Sequence, residues 1–265
     1  MTPVIAAAAA LRAARDARTP RVPFTDGDSV LDEQWGYRVQ DEDRAQRRAR
    51  GERIIGAKLG LTSRAKQVTM GVHQPIVGFL TDAMHIRNSH DDDLFDRTAQ
   101  PRIEPEIAFR LGRVVDRPLT MAAAADAIDG VAVAAEIIDS RYAGFGFRLP
   151  DVVADNTSAA AFLVGDWADP ATAGDLAAVR CVLSTDGREL HNATGAAVLG
   201  HPLRALIHLS EHLAKRGEHL SAGAIVLAGA LTDAVAIRPG VVYRADIDRL
   251  GAVSFSTSSH QRKAT

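Results

Sequence analysis

The chain carries one cysteine, Cys181, in 265 residues, so no internal disulfide can staple it. The thiol sits in the apolar run "VRCVLS", where it is expected to be buried and inert, and a reducing cytoplasm suits such a chain. Excess charge of either sign is also missing. With 31 Lys and Arg against 33 Asp and Glu the net charge is -2, which leaves no electrostatic footprint for nucleic acid and no polybasic membrane signal. No apolar run reaches the length of a membrane span. The Ala-rich start "MTPVIAAAAALRAARDAR" has no basic segment ahead of its apolar run, unlike a secretory leader. A Gly-rich phosphate loop is absent too: "GAKLGLTS" has glycines without the spacing of a P-loop or dinucleotide fingerprint, so no nucleotide cofactor is expected. Neither a nucleophile elbow nor a Ser/His/Asp arrangement occurs, and His73, His208 and His212 form no metal-ligand spacing with the acids. The remaining partners are a small molecule or another protein.

The composition is 46% hydrophobic, enough for a sizeable core. Residues 1–50 read as a helical N-terminal segment, with helices over Thr2 to Ala17 and Val30 to Arg50, the second capped near Asp28 or Ser29. Its charge run "DEDRAQRRARGER" is expected to be a solvated face. From residue 51 to 265 the pattern changes to short β-type runs divided by Gly, Pro and Asp, one compact unit with a hairpin turn at Asp186-Gly187. Two helices interrupt it, Met121 to Asp129 and Pro202 to Arg216, with His201 helping to start the second; the tail "SSHQRKAT" is expected to fray. Helices first and then a strand-rich body with few crossovers predicts an α+β fold of rolled or sandwiched sheets.

The chemistry begins at "RIEPEIAFRLGR". In a strand Glu104 and Glu106 point to one side, where two carboxylates repel unless a cation lies between them. Glu136, in the apolar stretch "GVAVAAEIIDSRY", adds a third acid that burial would leave in need of a partner. Three glutamates without nearby Cys or His pairs suit Mg²⁺ or Mn²⁺. On spacing alone, an exposed face paired with Arg102 or Arg110 is the commoner outcome. Lys58 is a lone cation in "IIGAKLGLTS": a snorkelling surface lysine on composition, or a buried one that moves protons or holds a substrate carboxylate. The segment "DSRYAGFGFRLPDVVADNTS" packs Asp139, Arg141, Asp155 and Ser158 between apolar runs, as binding loops do.

These motifs, with "GAKLGLTSRAKQVTMGVHQPIVGFLTDAM", "GHPLRALIHLSEHLAKRGEHLSAGAIVLAGAL" and "DIDRLGAVSFS", resemble the 2-keto-4-pentenoate hydratase and 4-oxalocrotonate decarboxylase family of the fumarylacetoacetate hydrolase superfamily. The resemblance covers nearly the whole chain. It implies a β-rich rolled mixed-sheet fold with a small helical N-terminal part, and a divalent metal, Mg²⁺ or Mn²⁺, held by Glu104, Glu106 and Glu136. Lys58 would face the substrate, Asp155 would help form the pocket, and the turn from Gly229 to Thr232 would approach the oxo-acid end, with Leu59, Asp139 and Ser158 as further substrate contacts. Arg141 is a second candidate cation for a substrate carboxylate, and Phe79, Phe145, Phe147 and Leu149 are candidate walls.

Within that family, "EIIDSRY" and "MGVHQPIVGFLTDAM" look more like the decarboxylase branch, although His73 stands where an acidic residue is more usual. The implied activity is decarboxylation of 2-oxohex-3-enedioate in the meta-cleavage breakdown of aromatic compounds. Hydration of 2-hydroxypenta-2,4-dienoate and a non-catalytic assembly subunit are the alternatives. A homo-oligomer and a complex with a hydratase are the implied protein partners.

Overall fold

The computed structural model describes residues 2–259, so the tail expected to fray lies outside the described residues from position 260 onward. Helix α1 runs over Val4–Asp16 and α2 over Glu33–Ala49. The cap of α2 is Asp32, whose carboxylate accepts from Trp35 N at 2.7 Å, rather than Asp28 or Ser29. Asp28 is occupied elsewhere: its Oδ2 accepts from Thr2 N at 2.7 Å and ties down the start of the chain.

The charge run on α2 is not simply a solvated face. Asp43 and Arg47 are buried, one turn apart, with Arg47 Nε 3.0 Å from Asp43 Oδ2. Arg15 of α1 reaches the other oxygen at 2.7 Å, and Arg47 also pairs with Glu52 at 3.1 Å. Burial opposes ionisation of Asp43, but these two arginines hold its carboxyl well below the usual carboxylate range. No pattern within α2 reveals that α1 supplies the second cation.

The body follows as β1 (Ile54–Gly60), α3 (Arg64–Met70), β2 (Ile76–Thr81), α4 (Leu94–Arg97), β3 (Arg102–Leu111), α5 (Met121–Ala127) and β4 (Ile128–Ile138). Then come α6 (Leu149–Ala154), β5 (Ala159–Val164), α7 (Pro170–Ala173), β6 (Arg180–Thr185), β7 (Arg188–Thr194) and α8 (Leu203–Arg216). Strands β8 (Ile225–Ala230), β9 (Val235–Ala236), β10 (Val242–Ile247) and β11 (Gly251–Ser256) complete it. The larger sheet has the order β2-β1-β8-β3-β4-β5, with β9 added to β3, and the smaller has the order β11-β10-β6-β7. All ladders are antiparallel except β1 with β8. After β2 the chain at His85 bridges to Phe162 of β5, drawing the outer strands of the large sheet together and rolling it. This is the α+β rolled architecture expected.

Two helix boundaries differ from expectation. The helix from Met121 stops at Ala127 because Ile128 already pairs with Leu111 in the β3–β4 ladder. The last helix begins at Leu203 with Pro202 as its cap, and His201 Nδ1 accepts from Leu203 N at 3.1 Å. The Asp186-Gly187 turn is as expected: φ values of 47° and 78° close the β6–β7 hairpin, a geometry suited to Asp-Gly.

The main core lies between the large sheet, α8 and the small sheet, with Phe109, Val131, Leu206 and Ile247 fully or almost fully buried. Cys181 belongs to it, and burial pushes its thiol up to about 12. A second cluster joins α1 and α2 to the body through Trp35, Phe24 and Tyr142. Among the described residues, no helix is long and apolar enough to cross a membrane.

Candidate active site

The two longest strands place the acids. Glu104 and Glu106 share one face of β3, and the antiparallel register sets Glu136 of β4 directly opposite Glu104. One oxygen from each carboxylate lies within 4.8 Å of the others. The exposed-face reading fails on burial: Glu104 is 6% exposed, while Glu106 and Glu136 are 0%. Arg110 pairs instead with Asp129, at 2.6 Å.

Lys58 is 3% exposed, so the surface-lysine reading fails as well. Its Nζ stands 2.9 Å from Glu136 Oε2 and donates to Thr157 O at 3.2 Å. On the far side Gly229 N donates to Glu106 Oε2 at 2.7 Å. Gly229 has φ +113°, and a Cβ there would sit 2.2 Å from Thr62 Oγ1, so only glycine lets this backbone approach the carboxylate.

Burial, then the neighbouring Glu136 carboxylate, raises Glu106 well above the usual carboxylate range against the pull of Lys58. Burial also raises Glu136, with Lys58 opposing it. Glu106 Oε1 and Glu136 Oε1 accept no hydrogen bond among the described residues. Buried acceptors without donors, arranged as an all-oxygen set around one point, fit a hard divalent cation of the Mg²⁺ or Mn²⁺ class.

Beside the glutamates lies a cavity of about 510 Å³. Lys58, Glu104 and Arg102 contribute charged groups to its lining, and Met70, Ile76 and Phe147 contribute apolar ones. Thr157 and Ser158 also line it, on a turn in which Asn156, Thr157 and Ser158 have φ values of 47°, 52° and 62°. Three consecutive non-glycine residues in the left-handed region store strain. The Asn156 side chain holds the turn by pairing with both main-chain groups of Phe79, at 2.9 and 3.0 Å, as a further strand would. The Thr157 Oγ1 and Ser158 Oγ hydroxyls are buried and have no hydrogen-bond partner among the described residues.

The other residues singled out in the sequence lie elsewhere. Arg141 does not line this cavity, because its guanidinium is consumed by Asp155 Oδ1, Asp155 O at 2.5 Å and Asp139 O at 2.6 Å. Burial pushes Asp155 up to about 6, with Arg141 opposing. The Asp139 carboxylate accepts from Ala99 N at 3.1 Å and Gln100 N at 2.7 Å. Leu59 alternates with Lys58 on β1, and its side chain belongs to the main core. Thr232 Oγ1 donates to Asp233 O at 3.2 Å, at the outer end of the turn that begins at Gly229. Phe79 packs against Leu80, Met84 and Phe162, and Leu149 against the Ile76–Val152 cluster, whereas Phe145 and Phe147 line the cavity. Arg102, considered in the sequence only as a partner for an exposed acidic face, lines the cavity, as do Thr157 and Asp233, which the sequence reading did not single out. The parity of Arg102 with Glu104 and Glu106 was the available signal for the first of them.

A family model described as fumarylacetoacetate (FAA) hydrolase C-terminal matches residues 53–256. A 4-oxalocrotonate decarboxylase from a Pseudomonas species is 43% identical over 239 residues, covering 90% of this chain and 92% of that protein. A 2-keto-4-pentenoate hydratase from Paraburkholderia xenovorans is 34% identical over 256 residues, covering 96% and 95%. The solved 4-oxalocrotonate decarboxylase from Pseudomonas putida G7, complexed with magnesium and adipate, matches with TM-score 0.91 and 35% identity over 96% of this chain and 97% of that one.

Proposed function

We propose, since this chain belongs to the fumarylacetoacetate hydrolase family, that it converts 2-oxohex-3-enedioate (4-oxalocrotonate) to 2-hydroxypenta-2,4-dienoate and CO₂ in the meta-cleavage breakdown of aromatic compounds. The observation that carries the reading is the buried Glu104–Glu106–Glu136 set, faced by Lys58 beside a cavity that also has apolar walls.

Breaking the bond between C5 and C6 releases CO₂. Its electron pair becomes the C4=C5 double bond, the former C3=C4 pair becomes C2=C3, and the charge arrives on the 2-oxo oxygen, where one proton completes the product. A divalent ion, Mg²⁺ or Mn²⁺, held by the three glutamates would supply Lewis-acid charge to that growing oxyanion. Lys58 brings an ammonium to the same end, already oriented by Glu136 and Thr157 O. The walls formed by Met70, Ile76 and Phe147 keep water from the departing carboxylate, whose negative charge is then spread over the dienolate. The Thr157 and Ser158 hydroxyls are buried beside the cavity without a partner among the described residues.

The hydratase reading draws on relatives such as the one at 34% identity over 96% of the chain. Hydration needs an acid/base pair beside the alkene. The carboxylates of Asp139 and Asp155, the two acids that the sequence placed near the pocket, are engaged by backbone N–H groups and by Arg141, which favours decarboxylation. A cytoplasmic homo-oligomer that hands its reactive dienol product to a hydratase partner completes the proposal; the lone buried thiol fits that compartment.

The test is incubation of the Mg²⁺-loaded protein with 2-oxohex-3-enedioate and, separately, with fresh 2-hydroxypenta-2,4-dienoate. CO₂ from the first without hydration of the second is the expected result. Hydration without CO₂ would transfer the site to the hydratase branch, and silence on both would favour the assembly-subunit alternative.

A further inference from the structure

We propose that Arg102 recognises the second carboxylate of the substrate and makes the cavity selective for dicarboxylates, an inference that rests on the decarboxylase reading above and deepens it. Arg102 continues the face of β3 that carries Glu104 and Glu106. At about 3.4 Å per residue its Cα stands about 7 Å from that of Glu104, comparable with the roughly 6 Å between the end carbons of an extended six-carbon diacid. It lines the same cavity as Lys58 and Glu104.

The guanidinium keeps its donors: beyond the backbone ladders to Ile138 and Ala236, the Arg102 side chain makes no hydrogen bond or ion pair among the described residues. Its Cζ lies 4.0 Å from the centroid of the Phe145 ring. Contact with the ring face leaves the N–H groups of the guanidinium free of any competing acceptor, and such a fork grips a carboxylate in bidentate fashion. Three other cations of the sheet and its flanking loop are committed. Lys58 pairs with Glu136, Arg141 with Asp155, and Arg110 with Asp129.

Charge balance points the same way. Three glutamates outweigh a divalent ion, so the metal set by itself does not attract a second substrate carboxylate. Asp233, the acid on the cavity lining away from the cluster, is exposed, and solvent screens its repulsion. Arg102 therefore supplies the missing charge. The carboxylate it would hold is the one lost as CO₂, so this contact stabilises the bound substrate at least as much as the transition state, and its removal is expected to raise KM and to leave kcat unchanged or slightly raised.

The experiment compares wild type, Arg102→Met and Arg102→Lys, all loaded with Mg²⁺, in calorimetric binding of adipate and of 2-oxopentanoate. Arg102→Met is expected to weaken adipate at least about 10-fold and to leave 2-oxopentanoate within about 2-fold, with Arg102→Lys recovering part of the loss. In CO₂ release, KM should rise about 10-fold while kcat stays within about 3-fold. Undiminished adipate binding, equal losses for both ligands, or a fall in kcat at constant KM would overturn the proposal. Failure of the decarboxylase reading is separately visible as a wild type that binds these acids and releases no CO₂.

Discussion

Lys58 Nζ and Glu136 Oε2 meet at 2.9 Å although β8 and β3 lie between their strands in the sheet. The pair closes across the concave face of the roll, with the Thr157 carbonyl accepting from the same ammonium. Lys58 thereby neutralises part of a buried acidic cluster and also competes with any cation bound there.

Two opposite effects are expected from Lys58→Met. Turnover should fall at least about 100-fold with the loss of the ammonium at the oxyanion end. Mg²⁺ should bind more tightly, by about 10-fold, because a positive charge beside the glutamates is gone. Without metal the variant should lose about 3 kcal/mol of stability, since one partner of a buried pair is left alone. CO₂ release, titration calorimetry with Mg²⁺, and urea denaturation without it check the three in turn; equal Mg²⁺ affinity in the two proteins would separate Lys58 from the cluster.

Glu106→Gln acts in the other direction on stability. Glu106 is fully buried, one of its oxygens has no donor, and its carboxyl is raised by burial and by Glu136. Removing the charge should leave the metal-free melting temperature unchanged or higher. The same substitution should weaken Mg²⁺ at least about 10-fold and abolish the stabilisation that Mg²⁺ confers. Wild-type turnover with Mg²⁺ in this variant would remove Glu106 from the metal site.

How far the site is legible in the sequence depends on the reach of each interaction. The shared face of Glu104 and Glu106 follows from strand parity, and the apolar neighbours of Glu136 announce its burial. Both survive in the structure because they are local properties of β3 and β4. The fate of Lys58 is set by strands more than forty positions away, so its composition pointed to the surface. Arg141 and Asp155 mislead for the complementary reason. Dense polarity marks the segment, yet nothing in it shows that these two side chains spend their donors and acceptors on each other. The left-handed turn at Asn156, Thr157 and Ser158 contains no glycine, so the usual signal for positive φ is missing. It is held instead by Phe79, which lies 77 positions earlier. The fold class was easier, because hairpin turns and helix order are local marks.

Gly229→Ala tests the close approach at the cluster. A Cβ would meet Thr62 Oγ1 at 2.2 Å and Thr62 Cβ at 2.8 Å, and φ +113° is strained for any side chain. The backbone must move, and the 2.7 Å hydrogen bond to Glu106 moves with it. A loss of at least about 2 kcal/mol is expected, together with weaker Mg²⁺ binding, as Glu106 loses the donor that orients it. Unchanged urea midpoints would mean that β8 tolerates a shift here.

His212 gives the fold a pH dependence whose sign can be worked out. Its ring packs 4.8 Å from that of Tyr37, and burial, then Arg216, lowers it to about 4 against the pull of Glu218 and Asp41. In the unfolded chain it titrates near about 6.5. As pH falls from there toward about 4, the unfolded chain takes up a proton that folded His212 refuses, so stability declines across that window. Glu218 is held down to about 2, first by its hydrogen bond from Arg44, and its own loss comes at lower pH. Asp155, pushed up to about 6, acts in the opposite sense within the window, so the readout is the difference between wild type and His212→Phe. Between pH 7 and pH 4.5 the wild type should lose at least about 1 kcal/mol more than the variant in urea denaturation. Parallel pH profiles for the two proteins would show that His212 accepts its proton without opening the contact with Tyr37.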